Sequence, residues 1–129
     1  MPIPIPVTSL DHLVLTVADV ERSVAFYAGV LGMEPRRTAE GRVSLHFGAQ
    51  KINLHPAAGT ILPRAAHPAP GSADVCLLTD LDAAAVVSRL QAHGVAVVCG
   101  PVPRAVAAGA VQSVYCRDPD GNLVEIAAL

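Results

Sequence analysis

Arg117-Asp118-Pro119-Asp120-Gly121-Asn122-Leu123-Val124-Glu125 is the stretch whose reading decides the fold. Asp120-Gly121 marks a tight turn, because Gly accepts positive φ and Asp hydrogen-bonds the local backbone, so the strand before it returns antiparallel. Glu125 stands on the returning strand, within an apolar run of Leu123, Val124, Ile126, Ala127, Ala128 and Leu129. A carboxylate there either faces solvent on an edge or meets a cation or a hydrogen-bond donor, since stripping an unpaired charge of water is costly.

Outward from this strand the pattern repeats. Upstream, Val111 to Cys116 and Val95 to Val98 read as strands, and Pro101 to Gly109 is too rich in Pro, Ala and Gly to assign. Ala73 to Leu78 reads as a strand, Thr79 or Asp80 as a cap, Leu81 to His93 as a helix and Gly94 as its stop. The first half has the same grammar. Leu10 to Val17 is a strand with Leu13, Leu15 and Val17 on one face and His12, Val14 and Thr16 on the other. Asp19 caps a helix over Val20 to Leu31, whose stripe is Val20, Val24, Tyr27 and Leu31, and Gly32 ends it. Arg42 to Phe47 and Gln50 to His55 follow as strands joined through Gly48-Ala49.

His12 to Asp74 and Gly32 to Gly94 are both spaced by 62 positions, the mark of an internal duplication. The expectation is an α+β fold in one domain, residues 1–129: module one over about 8–56, a Pro/Gly linker over about 57–72, and module two over about 73–129. Each module reads strand, helix and then three strands, with the helices outside.

Composition narrows the function. The chain has 129 residues, 52% of them hydrophobic, and no apolar run approaches the length needed to cross a bilayer. Met1 to Pro6 alternates Pro with apolar residues and reads as an extended arm, without the basic and apolar segments of an export signal. Three cysteines, Cys76, Cys99 and Cys116, fit reduced thiols in the cytoplasm. A net charge of -2 with four aromatics offers nucleic acid neither a charged track nor stacking platforms, so the expected partner is a small molecule.

The duplication also places chemistry. His12 and Asp74 stand on the two first strands, and Glu125 on the last strand of module two, with His55, 70 positions earlier, taken as its counterpart. A lone strand His is more often structural; joint placement in a repeat singles these four out. Asp74, with the shortest side chain, also suits a role orienting a His or a water. Imidazole and carboxylate together suit a divalent ion: Zn, Ni, Fe, Mn or Co.

Asp11-His12-Leu13-Val14-Leu15-Thr16-Val17, Ser23-Val24-Ala25-Phe26-Tyr27 with Leu31-Gly32-Met33, and Asp118-Pro119-Asp120-Gly121-Asn122-Leu123-Val124-Glu125 resemble the vicinal oxygen chelate superfamily of glyoxalases, bleomycin resistance proteins and dioxygenases. Leu45-His46-Phe47-Gly48, Lys51-Ile52-Asn53-Leu54-His55, Ala66-His67-Pro68 and Gly71-Ser72-Ala73-Asp74 are most similar to the group called glyoxalase domain-containing protein five. The resemblance implies two tandem βαβββ modules forming an open, barrel-like mixed sheet around a metal, in a homodimer that completes or buttresses the site. It carries the metal ligands onto His12, His55, Asp74 and Glu125. Glyoxalase I enzymes commonly have Glu where His55 stands and His or Gln where Asp74 stands, so glutathione-specific isomerisation is not implied.

The leading expectation is metal-dependent lyase or isomerase chemistry on a substrate with two neighbouring oxygens. Glu125 is the candidate general base, and His46 and Tyr115 are candidate acid/base or orienting groups. Lys51, Arg64 and Arg104 are candidates to hold an anionic substrate. Fe(II) ring-cleaving oxygenation through His12, His55 and Glu125, and thiol transfer, are alternatives on the same scaffold. A metal-free protein that sequesters a drug or metabolite is the alternative from another class.

Overall fold

A computed structural model describes residues 1–129. Module one runs β1 (His12–Val17), α1 (Val20–Gly29), β2 (Glu34–Arg37), β3 (Val43–Phe47) and β4 (Gln50–Pro56). Module two runs β5 (Asp74–Thr79), α2 (Ala83–Ala92), β6 (Cys99–Val106), β7 (Gly109–Arg117) and β8 (Leu123–Ala128). The sheets have the same order, β1-β4-β3-β2 and β5-β8-β7-β6. In each, the first and last strands pair parallel and the other pairs are antiparallel. The fold is the expected α+β pair of βαβββ modules; the two mixed sheets stay open and separate.

Local sequence explains most of the boundaries. Asp19 caps α1, its Oδ1 accepting from Arg22 N at 3.1 Å. Asp82, not Thr79 or Asp80, caps α2, accepting from Ala85 N at 2.8 Å, since the helix begins at Ala83 and Thr79 Oγ1 accepts instead from Leu81 N. Val95 to Val98 is not a strand: Val95 N closes the end of α2 on Leu90 O, and the ladder begins at Cys99. The unassigned Pro101 to Gly109 stretch supplies most of β6 and the start of β7. Pro101 and Pro103 are tolerated because β6 is an edge strand with no outer neighbour to demand their missing N–H groups. β2, an edge of the first sheet, also carries a proline, Pro35, and is exposed along its length.

One core joins the modules. Leu15, Tyr27, Leu45 and Ile52 pack in the same buried cluster as Val86, Leu90, Val114 and Val124. Tyr27 OH donates to Asp118 Oδ2 across the modules at 2.7 Å. Burial, and then the Asp118 hydrogen bond, push the Tyr27 hydroxyl well above its ordinary value. Asp118 also accepts from Asp120 N, Asn122 N and Asn122 Nδ2, and Gly121 takes φ +87° in the tight turn read from the sequence. The first carboxylate of the Asp118 to Glu125 stretch therefore builds the turn and clasps the modules together, and Asp120 adds a second link by accepting from Ala18 N at 3.2 Å.

Candidate functional site

Alternate strand residues face the helix-covered core, and their neighbours face the opposite, open side. On the first sheet, strand register aligns Glu34, His46, Lys51 and His12 in one row across β2, β3, β4 and β1. Adjacent strands lie about 4.8 Å apart, so the row brings two imidazoles and an ammonium side by side. His12 Nδ1 is 2.8 Å from Asp11 Oδ2, leaving Nε2 free for a proton, a substrate or an ion. That hydrogen bond holds the Asp11 carboxyl below its ordinary range. His46 Nε2 lies 2.9 Å from Ser44 Oγ, and a cleft of about 430 Å³ lined by Asp11, Glu34, Arg36, His46 and Lys51 runs beside the row.

On the second sheet, the open face aligns Cys76, Glu125, Tyr115 and Cys99 across β5, β8, β7 and β6. Ser113 Oγ donates to Glu125 Oε2 at 2.7 Å, leaving Oε1 outside that bond. Arg104 Nε donates to Tyr115 OH at 3.1 Å, with its guanidinium carbon 5.6 Å from the ring centroid, so the cation both bonds and covers the phenol. Burial, and then the charge of Glu125, push the Cys76 thiol up to about 11, which keeps it protonated at neutral pH. Asp74 is exposed, opposite Leu123 and one row from Glu125.

The four anticipated ligands do not gather within one chain: no three His, Cys, Asp or Glu side chains are grouped to hold an ion. His55 lies opposite Thr16, four residues beyond the partner of His12. At about 3.3 Å per residue that separates the two imidazoles by roughly 13 Å along the sheet. His55 instead shares a narrow crevice with Arg64, Thr16, Gly59 and Ile61, where burial holds its imidazole below the ordinary value. Arg64 is thereby set apart from both rows. The equivalence of His55 with Glu125 is corrected by the register: Glu125 lies opposite Cys76, Asn53 lies opposite Val14, and Val14 and Cys76 are the third residues of their strands.

Asn53 is thus the counterpart of Glu125, and it was missed, as were Cys76 and Ser113. Strand parity exposes all three once the register is known. The donors at matched positions are His12 and Asn53 on one sheet and Asp74 and Glu125 on the other, each pair diagonal on its open face.

A family model for the Glyoxalase/Bleomycin resistance protein/Dioxygenase superfamily matches residues 9–126. Virulence protein STM3117 of Salmonella typhimurium is 48% identical over 91% of this chain and 81% of its own length. Its crystal structure aligns over 96% of this chain and 98% of that one, with a TM-score of 0.93. Glyoxalase domain-containing protein RDO1 of Mycosarcoma maydis is 45% identical over 95% of this chain and 69% of its own. The crystal structure of lactoylglutathione lyase from Agrobacterium tumefaciens is 28% identical, aligning over 95% of each chain with a TM-score of 0.72.

Proposed function

Because the chain belongs to the Glyoxalase/Bleomycin resistance protein/Dioxygenase superfamily, we propose that it is a glyoxalase-like enzyme acting on a small substrate with two neighbouring oxygens, its site assembled between two copies of the chain. One observation carries this reading. Each sheet turns outward half of a reactive set, His12 with Lys51 and His46 on one, Glu125 with Tyr115 and Arg104 on the other. No strand of one sheet pairs with a strand of the other, and no three His, Cys, Asp or Glu side chains gather within the chain. Setting the first sheet of one copy against the second sheet of another in a homodimer joins the two halves twice per pair.

The donor chemistry at that junction fits a divalent ion of the Zn, Ni, Fe, Mn or Co type. His12 Nε2 of one copy and Glu125 of the other would hold it, with Asp74 as a further carboxylate and Asn53 as a neutral oxygen donor. Bound there, the ion would polarise the substrate's oxygens and stabilise the negative charge that develops on them. The chain's own groups do the rest. Ser113 fixes Glu125 by Oε2, so Oε1 is the oxygen left either to hold the ion or, when free of it, to take and return a substrate proton. Arg104 fixes Tyr115, whose hydroxyl is positioned to donate to a substrate oxygen. Lys51, beside His12 and His46, offers positive charge to an anionic substrate. We place the enzyme in the cytoplasm, where its three free cysteines stay reduced.

Asn53 favours a second reading. An amide in place of a carboxylate weakens a four-ligand set, as suits a protein that binds a metabolite unchanged. The offset of His55, roughly 13 Å along the sheet, removes support from a two-His-one-carboxylate oxygenase site.

Subunit mixing tests the leading reading. His12→Ala and Glu125→Ala chains are purified separately, mixed after reversible dissociation, and their metal content is measured by native mass spectrometry. Neither parent should retain an ion, whereas the mixed dimer should retain one, since it holds one intact pairing. A mixed dimer as empty as its parents, beside a loaded wild type, would rule out the shared site. Metal-free wild type in metal-replete medium would favour the binding-protein reading.

A further inference from the structure

The first nine residues make no hydrogen bond to the rest of the chain, and Ile3, Ile5 and Val7 are 92%, 87% and 85% exposed. Surfaces of that kind, contiguous and apolar, mark places where something docks. The arm is also stiff. Pro2, Pro4 and Pro6 fix their own φ, and Met1, Ile3 and Ile5, each preceding a proline, are confined to extended conformations. An extended arm of alternating Pro and apolar residues loses little freedom on docking, and lacking alternate N–H groups it docks through side chains rather than as an inner sheet strand.

The same chain carries an unfilled apolar groove of about 390 Å³ between the end of α1 and the face of α2, lined by Leu31, Met33, Phe47, Leu78, Leu81 and Leu90 among others. Leu78 is 54% exposed. The groove begins where the arm is rooted: Gln50 Nε2 donates to Leu10 O at 3.0 Å, and Gln50 pairs with Phe47 on the hairpin. The arm nonetheless stands clear of its own groove, as the exposure of Ile3, Ile5 and Val7 shows. Nine residues at about 3.1 to 3.4 Å each reach roughly 30 Å, enough to cross to a neighbour.

We infer that the arm of each chain docks in the inter-module groove of a second copy, Ile3, Ile5 and Val7 filling it, so that two chains exchange arms symmetrically. Exchange in both directions closes the assembly as a dimer and leaves neither apolar surface open. The inference rests on the second copy invoked for the shared site, but not on its chemistry.

Two measurements on the full chain test it. In sedimentation equilibrium, Ile3→Ser with Ile5→Ser should raise the dimer dissociation constant at least tenfold. In a Cys76→Ser, Cys99→Ser background, a chain with Ile5→Cys mixed with a chain with Leu78→Cys should form a disulfide between the two on mild oxidation. A cross-link formed only when both changes share one chain means that the arm folds onto its own body and overturns the inference. So does the absence of any cross-link. A stable wild-type dimer whose dissociation constant ignores the arm variant sinks the arm exchange alone, whereas a wild type monomeric at all concentrations sinks the shared site as well.

Discussion

Asn53 holds in the first sheet the register position that Glu125 holds in the second, each lying across from the third residue of its module's first strand. The two matched positions thus carry a carboxylate in one module and a shorter, neutral amide in the other. If the junction between copies holds a divalent ion, Asn53→Glu should tighten its affinity at least tenfold in calorimetric titration, since a charged oxygen replaces a neutral one. The gain should vanish when His12→Ala is added. Unchanged affinity in the single variant would remove Asn53 from the site.

The spacing of 62 positions was legible because helices and first strands have similar lengths in both modules; the last strands were misaligned because their connections differ. Gly48 and Ala49 link β3 to β4, while Asp118 to Asn122 link β7 to β8, so no constant spacing carries Glu125 onto β4, and His55, two residues beyond Asn53 on the same face, is as acceptable to strand parity as Asn53. β2 escaped notice because Glu34 to Arg37 is exposed throughout and has no apolar period to read. His12 and Glu125 were visible as polar groups on apolar strands. Their placement on two sheets that share no paired strand was not, because alternation fixes which face a residue occupies but not which sheet stands opposite that face.

Tyr27 and Asp118 clasp the modules through one buried hydrogen bond of 2.7 Å. Tyr27→Phe keeps the ring and its edge-to-face contact with Phe26 but removes the donor. The expected cost is about 1.5 to 3 kcal/mol in urea unfolding, the range for a hydrogen bond to a charged group. Metal content should not change, because neither residue lies on an open face. A loss below about 0.5 kcal/mol would mean that Asn122 and the two backbone donors satisfy Asp118 unaided.

Cys116 sits in the core on β7, where burial, and then the charge of Asp118, push its thiol up to about 11 from an ordinary value of 9.0. Between those values the unfolded chain has released the proton and the folded chain has not. The unfolded state therefore binds fewer protons there, and stability must fall as pH rises from about 9 to 11. Cys116→Ala removes this contribution and leaves only a small void, whose cost does not vary with pH. Under reducing conditions the wild type should lose more stability than the variant across that interval, followed by urea midpoints at fixed pH. Parallel slopes would show that the thiol titrates alike in both states.

Gly100 and Gly121 both take positive φ, +103° and +87°, yet their surroundings differ. Around Gly121 a Cβ would meet nothing within 4 Å, so Gly121→Asn, a residue that tolerates left-handed backbone, should cost no more than about 1 kcal/mol. At Gly100, beside the register shift between Cys99 and Val102, a Cβ would strike the backbone oxygen of Ser113. Neither partner is a flexible side chain, so Gly100→Ala must displace β6 or β7. Ser113 is the residue whose hydroxyl holds Glu125, so the displacement passes straight to the candidate base. Gly100→Ala should therefore cost more than about 2 kcal/mol in unfolding, combining backbone strain with the clash. It should also lower metal affinity or turnover beyond Gly121→Asn at matched fraction folded. Equal effects of the two substitutions would show that φ alone matters and that Glu125 does not depend on where β7 holds Ser113.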